Sequence, residues 1–82
     1  MASYGVRTKM KPEKVLKRAA AFFGPSGLGL QVIQQTEEYV LLQGGGGHVA
    51  VGALPVEDEG SAVEIETREW DYQVRRFISQ IG

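Results

Sequence analysis

The amino-acid sequence predicts an α+β domain, a two-layer sandwich in which two helices cover one face of a four-stranded antiparallel sheet. Two segments, one towards each end of the 82-residue chain, carry apolar residues at helical spacing. Four runs between these segments have the apolar patterns that are typical of strands. The breaks between the runs are short, so successive strands should pair as an antiparallel meander.

The first ten residues alternate between two kinds of side chain. Tyr4 and Val6 would lie on one side of the segment, with Gly5 and Arg7 on the other. This spacing predicts a short edge strand, although a flexible arm has the same composition. The predicted element order is therefore (β)-α-β-β-β-β-α. Because a chain of this length holds one small core, we expect residues 1–82 to form a single domain.

Both helices are predicted from apolar stripes and from the residues at their ends. The first should begin at Pro12, whose missing N–H is not needed in a first turn, and should end at Gly24. Its stripe consists of Val15, Leu16, Ala19, Phe22 and Phe23. The second helix has the stripe Trp70, Val74, Phe77, Ile78 and Ile81. Thr67 is the expected N-cap of this second helix.

The four strands are predicted at Leu30–Gln35, Tyr39–Gln43, His48–Leu54 and Ala62–Thr67. A three-residue turn after the first of them should pair Gln35 with Tyr39 and Ile33 with Leu41. The remaining predicted pairs are Val32 with Leu42, Leu42 with Val49, Val40 with Val51, Val51 with Ile65, and Val49 with Thr67. In this register one face is apolar throughout: Leu30, Val32, Val40, Leu42, Val49, Val51, Ala53, Val63 and Ile65.

Composition restricts the chemistry that the chain can perform. It contains no cysteine and only one histidine, His48, so thiol nucleophiles, iron–sulfur clusters and cysteine-based zinc sites are excluded. His48 and Glu66 are the only acid–base pair that the predicted register brings together. We therefore expect a non-catalytic protein with no cofactor and no metal site. No apolar run approaches a membrane span, and no signal peptide is evident, so a cytoplasmic protein is expected.

Two short segments, Phe22–Pro25 and Thr67–Tyr72, resemble those of small bacterial proteins with no assigned activity. The predicted element order also resembles the TATA-binding-protein-like or helix-grip architecture. In one version of that fold the open sheet face grips DNA, and in another the sheet and a long helix enclose an apolar ligand. The resemblance thus implies a fold with two alternative uses.

The sheet face opposite the helices is the main candidate for function. Its predicted site residues are Ile33, Tyr39, Leu41, His48, Glu64, Glu66 and Arg68. An apolar centre with a polar border is typical of a surface that contacts another protein or a second copy of the chain. An ordinary solvated sheet face would have a similar composition.

Two other functions stay open. The N-terminal region carries six cations, Arg7, Lys9, Lys11, Lys14, Lys17 and Arg18, against one acid. These cations predict weak binding to nucleic acid or an anionic surface, which the sheet face itself should not provide because Glu64 and Glu66 would repel phosphates. Nine of the ten acids lie between residues 37 and 71, so the predicted charge distribution is dipolar. The third function is binding of a small apolar ligand between the sheet and the C-terminal helix.

Overall fold

The sheet has five strands, all antiparallel, in the order β1-β5-β4-β3-β2. The computed structural model describes residues 1–57 and 59–82. Its elements are β1 (Ala2–Thr8), α1 (Pro12–Phe23), β2 (Gln31–Gln35), β3 (Tyr39–Gly44), β4 (Gly47–Pro55), β5 (Ser61–Arg68) and α2 (Asp71–Ile81). The α+β class, the antiparallel sheet and the two helices are confirmed.

The N-terminal segment is a full edge strand and not a flexible arm. It pairs with β5 over its whole length, from Ala2 opposite Thr67 to Thr8 opposite Ser61. Its side chains alternate because successive residues of a strand point to opposite sides of the sheet. Val6 packs against the core, while Arg7 is exposed. The sheet therefore extends one strand beyond the four-stranded meander.

The core lies between the helices and one face of the sheet. The buried side chains of both helices and of the sheet form a single cluster. Three aromatic rings, those of Phe22, Phe23 and Phe77, pack against one another at centroid distances of 4.9–5.6 Å. The predicted apolar face is buried at every position except Val32, which is 39% exposed. Val32 belongs to the edge strand β2, which has no neighbour on its outer side to cover it.

The predicted pairing of β2 with β3 is wrong in its second half. Val32 lies opposite Leu42 as expected, but a bulge follows, so Gln34 lies opposite Leu41 and Gln35 opposite Val40. The predicted pairs Ile33–Leu41 and Gln35–Tyr39 are therefore not formed.

The cause of this shift is the turn that follows β2. The Thr36 N–H donates to the Tyr39 carbonyl at 2.8 Å, and the Thr36 hydroxyl accepts from the Glu38 N–H at 3.2 Å. These bonds make Thr36 and Tyr39 the closing pair of a two-residue turn, where the sequence had suggested three residues. The extra residue in β2 is absorbed by the bulge at Ile33. The predicted pairs of β3 with β4, and of β4 with β5, are all confirmed.

Thr67 is not the N-cap of the second helix, which corrects the prediction for this end of α2. It is a buried residue of β5, and its hydroxyl donates to the His48 carbonyl at 2.8 Å. The helix begins at Asp71, and Trp70 in the N-cap position provides no side-chain cap. Between strand and helix, Glu69 takes a left-handed backbone conformation with φ of 76°. The chain needs this sharp turn to bring α2 back across the sheet.

Candidate functional site

The sheet face opposite the helices, here called the open face, is crossed by four rows of side chains. Strand alternation and register place them as follows, from one end of the strands to the other: Gln31, Gln43, His48 and Arg68; Gln34, Leu41, Ala50, Glu66 and Ser3; Tyr39, Gly52, Glu64 and Gly5; Leu54, Ala62 and Arg7. Every residue of these rows is exposed or half-buried. The other side of β1, β3, β4 and β5 packs on the core.

Six of the seven predicted residues share the open face, namely Tyr39, Leu41, His48, Glu64, Glu66 and Arg68. The seventh, Ile33, lies apart from them in the bulge of edge strand β2, where it is 50% exposed. Gln35, which the sequence had placed in the row of Tyr39, instead lines a cleft beside α1 on the helix side. The bulge explains both differences, because one extra residue reverses the side to which the following side chain points.

Leu54 belongs to this face and was missed as a functional residue. It is 54% exposed, and it lies in the same row as Ala62 and Arg7. The sequence signal was present, since Leu54 continues the alternation of Ala50 and Gly52 along β4.

The centre of the open face is a shallow depression of about 340 Å³. Ala50 and Gly52 line its floor, and Tyr39, Glu64 and Glu66 stand around it. The Glu64 side chain extends across Gly5, where a Cβ atom would lie 3.2 Å from its Oε2. The depression thus combines an apolar floor with a carboxylate rim.

His48 and Glu66 lie side by side on the face, as the predicted register required. Nε2 of His48 is 3.9 Å from Oε1 of Glu66, and this is the single ion pair within the described residues. The separation exceeds hydrogen-bond distance. The carboxylate side chain is 52% exposed, so water screens the attraction and the contact adds little stability.

A second depression, here called the polar cleft, lies at the end of the face where β3 turns into β4. Its volume is about 420 Å³. The whole first row lines it together with three glycines: Gln31, Gln43, His48, Arg68, Gly44, Gly46 and Gly47. No carboxylate is among these lining residues.

The four-glycine run at this cleft forms a tight hairpin turn, as the sequence predicted. Gly45 and Gly46 both have positive φ, 58° and 78°, which matches the two-residue turns that suit the twist of paired strands. The turn is held from behind, because Nε1 of Trp70 donates to the Gly44 carbonyl at 2.9 Å. A Cβ on Gly47 would lie 2.0 Å from the Arg68 carbonyl oxygen. The glycines therefore permit close packing of the turn against the start of α2.

The basic residues of the N-terminal region do not form one surface. Arg7 lies on the open face, whereas Lys14, Lys17 and Arg18 are exposed on α1 in the opposite layer. Lys9 and Lys11 belong to the connection between β1 and α1, and Lys11 occupies the N-cap position of the helix. Pairing of β1 with the acid-bearing strand β5 places Arg7 on the same face as Glu64 and Glu66.

A surface cleft of about 1000 Å³ lies where β1 begins and α2 starts. Two acids and two arginines line it, so it has no dominant charge: Glu69, Asp71, Arg68 and Arg75. Beside it, the Tyr4 hydroxyl donates to Oδ2 of Asp71 at 2.9 Å. This hydrogen bond raises the pKa of Tyr4 above its usual value, helped by partial burial and by the Asp71 charge, while Arg75 acts in the opposite direction.

Within residues 1–57 and 59–82, no helix is both long and apolar enough to span a bilayer. The same residues contain no group of three or more His, Cys, Asp or Glu side chains placed to hold a metal ion. Comparison of the chain with protein-family models, with curated proteins and with solved structures returns no match.

Proposed function

We propose that the domain is a non-catalytic interaction module, active in the cytoplasm, that pairs with a second copy of itself through the open face. The observation that carries this proposal is the composition of the face. Exposed Leu54 and half-buried Tyr39 and Leu41 share this face with the small residues Ala50 and Gly52. Such an apolar centre with a charged border is the usual arrangement of a protein contact surface.

The charges of the face favour a second copy as the partner. Arg68 and Arg7 lie in the first and last rows, while Glu66 and Glu64 occupy the rows between them. Because both signs are present, two copies can place a cation of one against a carboxylate of the other. A face of one sign would repel its own copy.

The element order supports the same use of the sheet. We propose that this order resembles the TATA-binding-protein-like architecture, in which the open sheet face can serve as a binding surface. The alternative use, an apolar ligand beneath α2, has less support. Val74 and Phe77 are almost fully buried, and the rings of Phe22, Phe23 and Phe77 occupy the space between helices and sheet.

The proposal is tested by measuring molar mass over a wide concentration range for two matched variants. Leu54→Glu places a charge on the open face, and Tyr72→Glu places the same charge on α2, at a residue that is 60% exposed. We expect the wild type to dimerise as concentration rises, L54E to raise the dimer Kd by about tenfold or more, and Y72E to leave it unchanged. A wild type that stays monomeric throughout, or an equal effect of both variants, would contradict the proposal.

One observation favours weak binding to nucleic acid as a second candidate. Lys14, Lys17 and Arg18 are exposed along α1, and none of them forms an ion pair with a described acid. Binding through these cations would weaken steeply with salt. A salt titration with duplex and single-stranded oligonucleotides tests it, using Lys17→Gln as the variant and Arg7→Gln, on the other layer, as the control. No affinity at low salt would end this candidate.

A further inference from the structure

We propose that the polar cleft is a binding site for a small oxyanion group, either a carboxylate or a phosphate. This inference does not depend on the proposed self-association, because it concerns one end of the open face and needs no second protein. It rests on three features of the cleft: the donors that line it, its charge, and its rigid construction.

The donors come from four adjacent strands. Gln31, Gln43, His48 and Arg68 lie in one row, on β2, β3, β4 and β5 respectively, and all four line the cleft. The guanidinium group offers several N–H donors in a planar fork that fits the two oxygens of a carboxylate or phosphate. Each glutamine amide adds N–H donors, and the imidazole adds at least one. Neighbouring strands are about 4.8 Å apart, so side chains on adjacent strands, such as His48 and Arg68, can contact one ligand.

The turn glycines complete the wall of the cleft with bare backbone. Gly46 is exposed, and nothing lies within 4 Å of the position that a Cβ atom would take there. A ligand can therefore approach the main chain of the turn without meeting a side chain.

The charge of the cleft favours an anion. No acid lines it, and Arg68 forms no ion pair with any described residue. An opposing charge at the margin is Glu66, whose Oε1 lies 3.9 Å from Nε2 of His48. An anion would thus be attracted by Arg68 and repelled by Glu66, two neighbours on the same face of β5. Removal of the Arg68 charge should therefore weaken anion binding, and removal of the Glu66 charge should strengthen it.

The cleft is also held in place before any ligand arrives. Trp70 bonds to the Gly44 carbonyl, and the Thr67 hydroxyl bonds to the His48 carbonyl. Binding to a rigid site avoids the cost of ordering it. Trp70 is the only tryptophan in the chain, and its ring contacts Gly45. Its fluorescence therefore reports on the turn that forms one wall of the cleft.

The test is a titration of the full chain with sodium phosphate and with sodium acetate, at ionic strength held constant with sodium chloride. Trp70 fluorescence and the backbone amide shifts of residues 44–48 are followed. The variants are Arg68→Gln, Glu66→Gln and Arg7→Gln, which removes the same charge as the first but from the far row of the open face. All three positions are exposed, so the variants should fold.

We expect saturable binding that Arg68→Gln weakens by about tenfold, that Glu66→Gln strengthens, and that Arg7→Gln leaves unchanged. Tighter binding of acetate would identify a carboxylate as the natural group, and tighter binding of phosphate would identify a phosphoryl group. Either order supports the site. The proposal is overturned if no saturable change occurs, if Arg7→Gln weakens binding as much as Arg68→Gln, or if Glu66→Gln weakens it.

Discussion

At the scale of single residues, the run Gly44–Gly47 forms a hairpin turn, although glycine-rich runs also occur in phosphate-binding loops. Gly45 and Gly46 supply positive φ, and Gly47 supplies room for the Arg68 carbonyl oxygen. A phosphate loop would lead into a helix, whereas this run leads into strand β4. Because Trp70 also bonds to Gly44, the turn ties the β3–β4 hairpin to the start of α2.

Substitution of two of these glycines should have unequal effects. Gly46→Ala places a Cβ in open space at a φ of 78°, so it should cost only the strain of a left-handed residue, about 1 kcal/mol. Gly47→Ala would bring a Cβ to 2.0 Å from a backbone oxygen that cannot move freely, so it should cost about 3 kcal/mol or more. Urea unfolding of both variants measures the difference. Equal losses of stability would show that the turn does not pack as described.

The hydrogen bond from Tyr4 to Asp71 predicts a pH-dependent contribution to stability. Since this bond raises the pKa of Tyr4 in the folded protein, its stabilisation is fully present below the usual tyrosine pKa of about 10. It is lost as the pH rises through the higher folded value, because the phenolate would then face a carboxylate.

We expect Tyr4→Phe to be less stable than the wild type at neutral pH, and the difference to shrink or reverse in strongly alkaline solution. Urea unfolding at both pH values measures it, with Tyr72→Phe as the control because Tyr72 is largely exposed. A difference between Tyr4→Phe and wild type that is the same at both pH values would contradict this assignment.

At the scale of elements, the register of the strands that face two neighbours could be predicted, whereas the pairing of the edge strands was predicted only in part. In β4, Val49 and Val51 must match apolar residues on both β3 and β5, which leaves one register. Edge strand β2 has only β3 as a neighbour, so the turn at Thr36 was free to shift it and produce the bulge. The partner of β1 is more than fifty residues away along the chain, beyond the reach of local patterns.

Edge strand β1 makes a prediction of its own. If it pairs with β5 as described, alternate backbone amides between Ala2 and Thr8 should exchange with solvent slowly, because those on the inner side donate to β5. The amides between them should exchange as quickly as those of an exposed loop. Hydrogen exchange followed by NMR tests this at each residue. Uniformly fast exchange over the whole segment would instead indicate a flexible arm.

At the scale of the whole molecule, sequence patterns predicted the two layers and most residues of the open face. They did not predict that Leu54 and the residues of β1 belong to it. The alternation of β5 was enough to place Glu64, Glu66 and Arg68 on the side away from the core. The role of Leu54 and the two depressions depend on which residues lie side by side across strands. The position of Arg7 beside β5 also depends on the pairing of β1 with that strand, which no local pattern reveals.

The two helices cover one face of the sheet and leave the other face free. We propose that two copies of the chain meet at this open face. The most direct measurement is a dilution series followed by backbone NMR. We predict that amide shifts at Tyr39, Leu41, Ala50, Gly52 and Leu54 change together with concentration, while those of exposed α1 residues do not. Shifts that are constant across the series, or that change on α1 instead, would contradict the claim.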